Sequence, residues 1–187
     1  QYAGTVAEIV TAPFDSWTSA WSNPTNLQGD MTGTYTDISG GGPPGARGKG
    51  LKCTNFGFGS VSGTINSITA YVESNESTGG GTYQAFRIVK GGATGSDTTF
   101  DGSSVPNGKG TFTAAGGVWG DSWVDTDITG ATFGVVFDSD VSAGFPWSCY
   151  HYRCWITVDY TAAAGFVAFP RPRGLVGGLT SLAGGLQ

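Results

Sequence analysis

The residues whose types could carry out catalysis are few, and none of them falls in a recognisable catalytic motif. His151 is the only histidine of the 187-residue chain, so a Ser-His-Asp arrangement would depend on this one side chain. Its neighbours Tyr150 and Tyr152 belong to a segment that is typical of a strand. We therefore expect a partly exposed strand histidine rather than a general base, and the sequence predicts no catalytic residue and no enzyme.

Metal and cofactor sites are not predicted either. A group of aspartates lies near turns, where Asp side chains cap and bend the backbone: Asp121, Asp125, Asp127, Asp138 and Asp140. A two-carboxylate hydrolase needs such side chains paired in a cleft. Asp138-Ser139-Asp140 lacks the dense loop of oxygen ligands that makes a calcium motif specific.

The glycine-rich stretch SGGGPPGARGKG (39–50) does not match a phosphate-binding loop. Gly50 follows Lys49 where such a loop requires Ser or Thr, so a solvated loop is expected.

The three cysteines, Cys53, Cys149 and Cys154, match no cysteine-based motif. Their low and odd number does not indicate a disulfide framework, and their spacing fits no zinc motif. We expect all three to be buried free thiols.

Charge composition restricts the class of partner. The net charge is −5, and charged residues make up 12% of the chain, about half of the usual share of roughly 25%. A nucleic-acid-binding protein needs a basic surface that displaces counterions, and no run of about 18 apolar residues is present to cross a membrane. The low charge instead favours a surface that is largely covered by neighbouring subunits.

The elements that would position these residues are short strands joined by glycine-rich turns. CYHYRCWITVDY (149–160) alternates with period two, which predicts one face with Tyr150, Tyr152, Cys154, Ile156, Val158 and Tyr160 and a mixed opposite face. No stretch of the middle region has a helical stripe. The sequence predicts an all-β, antiparallel β-sandwich of about eight to ten strands that resembles a jelly roll.

Three regions follow from the changes in composition. Residues 1–13 are predicted as an extended N-terminal arm in which Val6, Ile9 and Val10 add an edge strand, residues 14–161 as the sandwich, and residues 162–187 as a C-terminal docking tail. The predicted core of the sandwich consists of Phe56, Phe58, Ile68, Val72, Phe86, Ile88, Phe133, Val135, Phe137, Ile156 and Val158.

The tryptophans could either pack in the core or form a sugar-binding surface. Five of them are candidates for an aromatic platform: Trp17, Trp21, Trp119, Trp123 and Trp147. Because aromatic side chains bury large areas and dominate β cores, we expect most of them in the core. Trp147 is the predicted possible glycan contact, since it follows Gly-Phe-Pro in a loop.

A set of short motifs occurs in order between residues 17 and 160. They are W-S-N-P-T-N (21–26), a Gly-Asp turn (29–30), a leucine-led strand into N-F-G-F (51–58), I-x-x-I-x-A-x-V-E (65–73), K-G-G (90–92), W-G-x-x-W (119–123), D-I (127–128), F-G-V (133–135) and I-T-V-D-Y (156–160). In this order they resemble a family of small virion proteins of tailed bacteriophages and prophages. The chain departs from the family after F-G-F, where Gly59-Ser60-Val61-Ser62-Gly63 replaces a proline and a longer apolar turn. The resemblance implies a virion component.

The N-F-G-F corner (55–58) is predicted to pack into the core rather than to form a ligand-binding loop. Phe56 and Phe58 are two residues apart, so on a strand both would point into the sandwich, with Gly57 between them on the outer face.

The tail is predicted to contact a partner. Its leucines have helical spacing, but its glycines make a helix in isolation unfavourable, so we expect it to become ordered against a neighbour. The contact residues would be Phe166, Phe169, Leu175, Leu179, Leu182 and Leu186.

Together these features predict a non-enzymatic structural component of a phage virion, without cofactor or metal. Its position would be that of a head decoration or stabilisation protein, attached through its terminal segments to other copies of itself and to a major capsid or other virion protein. One alternative is a subunit of a secreted, extracellular filament or surface layer, in which one arm completes a neighbour's sheet. A second alternative is a carbohydrate-binding module.

Overall fold

The chain folds into antiparallel β-sheets, which confirms the predicted all-β sandwich. The computed structural model describes residues 1–9, 19–28, 36–40, 46–76, 81–141 and 147–163. The strands in these ranges are β1 (Thr5–Ile9), β2 (Thr36–Gly40), β3 (Ala46–Arg47), β4 (Gly50–Thr54), β5 (Gly63–Glu76), β6 (Thr82–Tyr83), β7 (Phe86–Lys90), β8 (Ala93–Thr94), β9 (Ser103–Ser104), β10 (Gly110–Ala115), β11 (Gly134–Phe137), β12 (Asp140–Val141) and β13 (Trp147–Ala162). A 3-10 helix (Pro24–Leu27) and a short helix α1 (Asp125–Thr129) complete the described elements.

Two main sheets pack against each other, and a small third sheet lies beside them. The first main sheet has the order β1-β4-β11-β7-β8, the second β10-β5-β13-β2, and the small one β3-β12-β6-β9. Five of the described strands contain only two residues, which is too short for an alternating pattern to be visible in the sequence. The described residues therefore contain thirteen strands, more than the eight to ten that the sequence predicts.

The hydrophobic core lies between the two main sheets. Nine of the eleven predicted core side chains are at most 4% exposed, and the other two, Phe58 and Val158, are partly buried against the same cluster. Phe86 of β7 faces Phe112 of β10 across the sandwich, with ring centroids 5.3 Å apart. Aromatic contacts of this kind join the two sheets.

A bulge in β13 changes which residues of this strand point inward. The register against β5 shifts between His151 and Arg153. Before the shift Cys149 and His151 are fully buried, and after it Cys154 and Ile156 are. An extra residue in one strand reverses the direction of every side chain beyond it, so the predicted single face from Tyr150 to Tyr160 is wrong for its first part.

The N-F-G-F corner is not a strand, contrary to the prediction. Asn55 and Gly57 have φ angles of 57° and 68°, which belong to the left-handed region and end β4. Both phenylalanine rings nevertheless pack against Phe133, with centroid distances of 6.4 Å for Phe56 and 5.9 Å for Phe58. The corner therefore packs against the core through a left-handed turn, with Gly57 exposed.

Residues 1–9 connect the two main sheets along one edge. Tyr2 forms an isolated antiparallel bridge with Trp155 of β13, and the N–H of Ala3 donates to the carbonyl of Cys154 (3.1 Å). The N–H of Gly4 then donates to the carbonyl of Thr54 (3.1 Å), and β1 pairs with β4 from there to Ile9. The segment is thus the edge strand that its branched residues predict, and it also touches the second sheet.

The glycine-rich stretch 39–50 is not one continuous loop. It contains the end of β2, all of β3 and the first residue of β4, with residues 41–45 outside the described ranges. The N–H of Gly48 donates to the carbonyl of Ser139 (3.0 Å), and an added Cβ at Gly48 would lie 2.7 Å from the Trp21 ring. Close packing against the Trp21 ring therefore explains why residue 48 is a glycine.

Candidate functional site

His151 is the centre of a buried polar cluster. Its Nδ1 lies 2.7 Å from Ser74 Oγ, and its Nε2 lies 2.8 Å from Ser139 Oγ. Ser74 Oγ is also 2.7 Å from the hydroxyl of Tyr83, and the thiol of Cys149 donates to Ser139 Oγ over 3.5 Å. Both ring nitrogens are therefore engaged by hydroxyl groups.

Three elements bring this cluster together. Ser74 of β5 is the direct cross-strand partner of His151 in β13, and Ser139 lies in the two-residue link between β11 and β12. Aromatic rings surround the imidazole: Trp21 at 4.8 Å, Phe137 at 5.1 Å and Tyr83 at 6.0 Å between centroids. The prediction of a partly exposed histidine is wrong, because the bulge turns His151 inward, where it is fully buried.

Burial holds the titratable groups of the cluster in their neutral forms. It lowers the pKa of His151 from 6.5 to about 3 and raises the pKa of the Cys149 thiol from 9.0 to about 12. It also raises the pKa of Tyr83 well above its usual value. A general base works best with a pKa near the operating pH, and an active thiol needs a lowered one. The arrangement therefore fits a structural role, in which hydrogen bonds to His151 hold neighbouring strands together.

Acid should destabilise the protein through His151. Between pH 6.5 and about 3 the unfolded chain binds a proton that the folded chain does not. The contribution to stability is complete above pH 6.5 and declines with falling pH, by up to about 1.4 kcal/mol per pH unit. Urea unfolding of the wild type and of His151→Gln at a series of pH values measures this slope.

The substitution His151→Gln should lower stability at neutral pH but flatten the slope in the acidic range. All other residues are the same in both proteins, so the difference between the two slopes isolates the contribution of His151. Equal slopes for the two proteins would show that His151 is not held neutral in the folded state.

Two aspartates predicted near turns are buried. Asp138 is fully buried, and its Oδ1 accepts a 2.6 Å hydrogen bond from the N–H of Ala85, which fixes the link after β11 to the start of β7. Asp140, in β12, is 6% exposed. Within the described ranges, no group of three or more His, Cys, Asp or Glu side chains could hold a metal ion.

The tryptophans that the structure describes mostly serve packing. Trp21, Trp119 and Trp123 are at most 9% exposed, so none of them offers a free ring face to a sugar. Trp119 donates its indole N–H to the carbonyl of Ile68 (2.9 Å), and Trp123 donates its own to Val118 (2.9 Å). Trp17 and the side chain of Trp147 lie outside the described part, so the proposed glycan contact stays a prediction.

The sequence did not single out an aromatic pair on the outer face of the second sheet. Tyr71 of β5 and Trp155 of β13 are direct cross-strand partners, and their rings stack in parallel with centroids 5.1 Å apart. Arg153 lies over the Trp155 ring at 5.4 Å. The two residues come together only through the pairing register of β5 and β13, and this register is not visible in the sequence.

The predicted partner contacts of the tail lie outside the described residues. They are Phe166, Phe169, Leu175, Leu179, Leu182 and Leu186. The last described residue, Ala163, donates its N–H to the carbonyl of Ser62 (3.1 Å) beyond the end of β13. Ala163 therefore lies at the end of the β5–β13 pair, next to the turn that precedes β5.

No described helix has the length and apolar character needed to traverse a bilayer. The three cysteines are buried and free, as the sequence predicts. The chain matches no protein-family model, and a comparison with curated proteins finds no match.

Proposed function

We propose that this protein is a non-enzymatic structural component of a phage virion, acting as a head decoration or stabilisation protein. The observation that carries the proposal is the position of the motif aromatics. Trp21, Phe56, Trp119, Trp123 and Phe133 are all at most 9% exposed. The residues by which the chain resembles small virion proteins are thus the residues that build its sandwich, which fits a structural role for them rather than ligand binding.

The chemistry of the polar cluster supports a scaffold as well. A Ser-His pair used for catalysis must be accessible to substrate and must have a histidine that accepts a proton near neutral pH. His151 is fully buried, and burial holds its pKa at about 3. The cluster joins β5, β13 and the β11–β12 link, so its contribution is to hold the two sheets in a single arrangement.

The partners in this proposal are other copies of the chain and a major capsid or other virion protein. The terminal segments make the attachment, with the tail starting at the end of β13 near Ser62. The glycine-rich tail cannot bury its leucines and its two phenylalanines by folding alone. These side chains can become buried against a neighbouring subunit. The location is the virion, and the protein assembles as a homo-oligomer.

Deleting residues 166–187 tests this attachment. The truncated protein should unfold at the same temperature as the full chain, because it keeps every described strand, the last of which is β13 (Trp147–Ala162). It should be missing from purified particles, as measured by mass spectrometry and electron microscopy. The full-length variant Leu175→Ser/Leu179→Ser/Leu182→Ser should fail in the same way, whereas Thr180→Ala/Ser181→Ala should be incorporated normally. Normal incorporation of the truncated protein would refute attachment through the tail.

A subunit of an extracellular filament or surface layer is the second candidate. The observation in its favour is the position of residues 1–9, which lie along an edge and hydrogen-bond to both main sheets. Such a segment can be exchanged between copies, so that each copy completes the sheets of the next. Electron microscopy of the native assembly distinguishes the two, since the first candidate requires the protein on capsids and the second in free filaments.

A further inference from the structure

An asparagine that precedes a glycine lies in the turn before β10. Asn107-Gly108 is the only Asn-Gly pair in the sequence, and both residues are exposed. Gly108 has a φ angle of 78°, in the left-handed region that favours glycine. Its N–H donates to the carbonyl of Glu76 over 3.5 Å, at the limit of a hydrogen bond. Within the described ranges, no side-chain hydrogen bond holds the Asn107 amide, so both groups are only weakly restrained.

Asn-Gly is the sequence in which an asparagine side chain reacts most easily with its own backbone. The reaction joins the side-chain carbon Cγ of the asparagine to the peptide nitrogen of the next residue in a five-membered ring. Glycine has no Cβ to obstruct this approach, and its backbone is free to adopt the conformation that ring closure needs. Water completes the reaction, so the site must also be exposed, as Asn107 and Gly108 are.

A second candidate, Asn66-Ser67 in β5, shows how the fold prevents the same reaction. Asn66 is also exposed, but its Nδ2 donates to Asp159 Oδ2 (3.1 Å) and to Thr161 Oγ1 (3.0 Å). Its backbone belongs to the long β5–β13 pair. The amide cannot turn toward the nitrogen of Ser67 without breaking both of these hydrogen bonds.

Asp101-Gly102 is the related Asp-Gly pair, and contacts protect it in another way. The Arg87 guanidinium binds the Asp101 carboxylate with both terminal nitrogens, and Nη2 lies 2.7 Å from Oδ2. The N–H of Gly102 donates to the carbonyl of Tyr83 over 2.7 Å. Both reacting groups are thus engaged elsewhere, which leaves Asn107 as the unprotected member of the three sites.

We propose that Asn107 is a modification site, at which the chain converts a side-chain amide into a carboxylate without an enzyme or a cofactor. The peptide nitrogen of Gly108 is the nucleophile, and solvent water is the co-reactant. This goes beyond the proposed virion function and does not depend on it.

The reaction has two steps. A solvent hydroxide removes the proton of the Gly108 nitrogen, which attacks Cγ of Asn107. The new C–N bond forms, the Cγ–Nδ2 bond breaks, and the amide nitrogen leaves as ammonia after taking a proton from water. Water then opens the succinimide ring, with its hydroxyl group on the carbon and its proton on the ring nitrogen. Cleavage at Cγ leaves aspartate, whereas cleavage at the backbone carbonyl carbon leaves isoaspartate, and neither step oxidises or reduces any group.

The products change the turn in two ways. Both add a negative charge next to the start of β10, where Lys109 pairs with Glu73 (3.6 Å). Isoaspartate also lengthens the main chain by one methylene between Pro106 and Gly108, the two residues that hydrogen-bond to the backbone of Glu76. These hydrogen bonds keep the turn beside the end of β5, so isoaspartate should loosen the turn there.

Incubating the full-length protein at neutral and at mildly alkaline pH tests the proposal. Peptide mass spectrometry should find Asn107 progressively replaced by aspartate and isoaspartate, and faster at the higher pH, because the nucleophile is the deprotonated nitrogen. Labelling with an isoaspartyl methyltransferase, which methylates the isoaspartate carboxylate, measures the second product independently. Asn66 and Asp101 in the same samples should stay unchanged.

The same incubation in guanidinium chloride separates the effect of the fold from that of the sequence. In the unfolded chain Asn66 should react as well, whereas Asn107 should react at similar rates in the folded and the unfolded protein. An Asn107 amide that stays intact in the folded protein but is lost in the denaturant would overturn the proposal. Equal losses at Asn66 and Asn107 in the folded protein would overturn it too.

Variants test the assignment to this residue. Asn107→Gln should abolish the isoaspartate signal, since the longer side chain does not form the five-membered ring. Gly108→Ala should slow the reaction several-fold, because a Cβ then obstructs the nitrogen. Asn66→Gln is the matched control and should leave the signal at the wild-type level. An isoaspartate signal that persists in Asn107→Gln would refute the site.

Discussion

Replacing Phe86 with alanine should lower the free energy of unfolding by about 3–5 kcal/mol. Phe86 is fully buried, and its ring stacks on Phe137 of the same sheet at 5.4 Å. It also contacts Phe112 and Trp119, which lie across the sandwich, at 5.3 and 6.2 Å between centroids. Removing the ring therefore leaves a cavity on the seam between the two main sheets, where neighbouring rings are held by several other contacts and cannot easily move in.

Urea unfolding followed by tryptophan fluorescence measures this loss. Phe58→Ala is the matched control: Phe58 also belongs to the aromatic core but is only partly buried, so its truncation should cost roughly half as much. The m-values should stay equal, since the surface exposed on unfolding is almost the same. Equal losses for the two variants would contradict the position of Phe86 at the centre of the core.

Replacing Gly134 with alanine should also destabilise the protein strongly, by about 3 kcal/mol or more. Gly134 begins β11, in the middle of the first main sheet, where Thr54 and Val89 are its register partners. An added Cβ would lie 1.9 Å from the carbonyl oxygen of Cys53. This neighbour is backbone rather than a flexible side chain, so β4 and β11 would have to separate and lose hydrogen bonds.

Gly59→Ala is the control for this substitution. Gly59 lies in the turn after the N-F-G-F corner, where an added Cβ has no neighbour within 4 Å and the φ angle is not in the left-handed region. Its replacement should change stability by less than about 0.5 kcal/mol. If Gly134→Ala were as mild as Gly59→Ala in urea unfolding, the close approach of β4 and β11 would be refuted.

The parts of the fold that the sequence predicts are those with long, regular alternation. In β5 the inward side chains Ile68, Ala70 and Val72 follow each other with period two, and all are fully buried. This pattern arises because β5 lies between core and solvent and must alternate, so the sequence carries the information locally. Phe133, Val135 and Phe137 also share one buried face, but β11 is buried on its other face as well, through Val136.

The parts that the sequence does not predict depend on distant contacts. The bulge in β13 is set by its pairing with β5, and nothing in residues 149–160 alone marks where the alternation changes. The sequence therefore predicts the wrong environment for His151 and does not predict the buried cluster with Ser74 and Ser139. These two serines are 77 and 12 residues away from His151 in the chain, and ordinary serines carry no sign of such a role.

The connection of residues 1–3 to β13 has a consequence for the order in which the molecule can fold. The first residue hydrogen-bonds to Ile156, 155 positions further along the chain. During synthesis on the ribosome, this edge stays open until almost the whole sandwich has emerged, and contacts of such long range make folding slow. Until β13 has emerged, residues 1–3 have no partner in the second sheet, so this seam between the two sheets closes last.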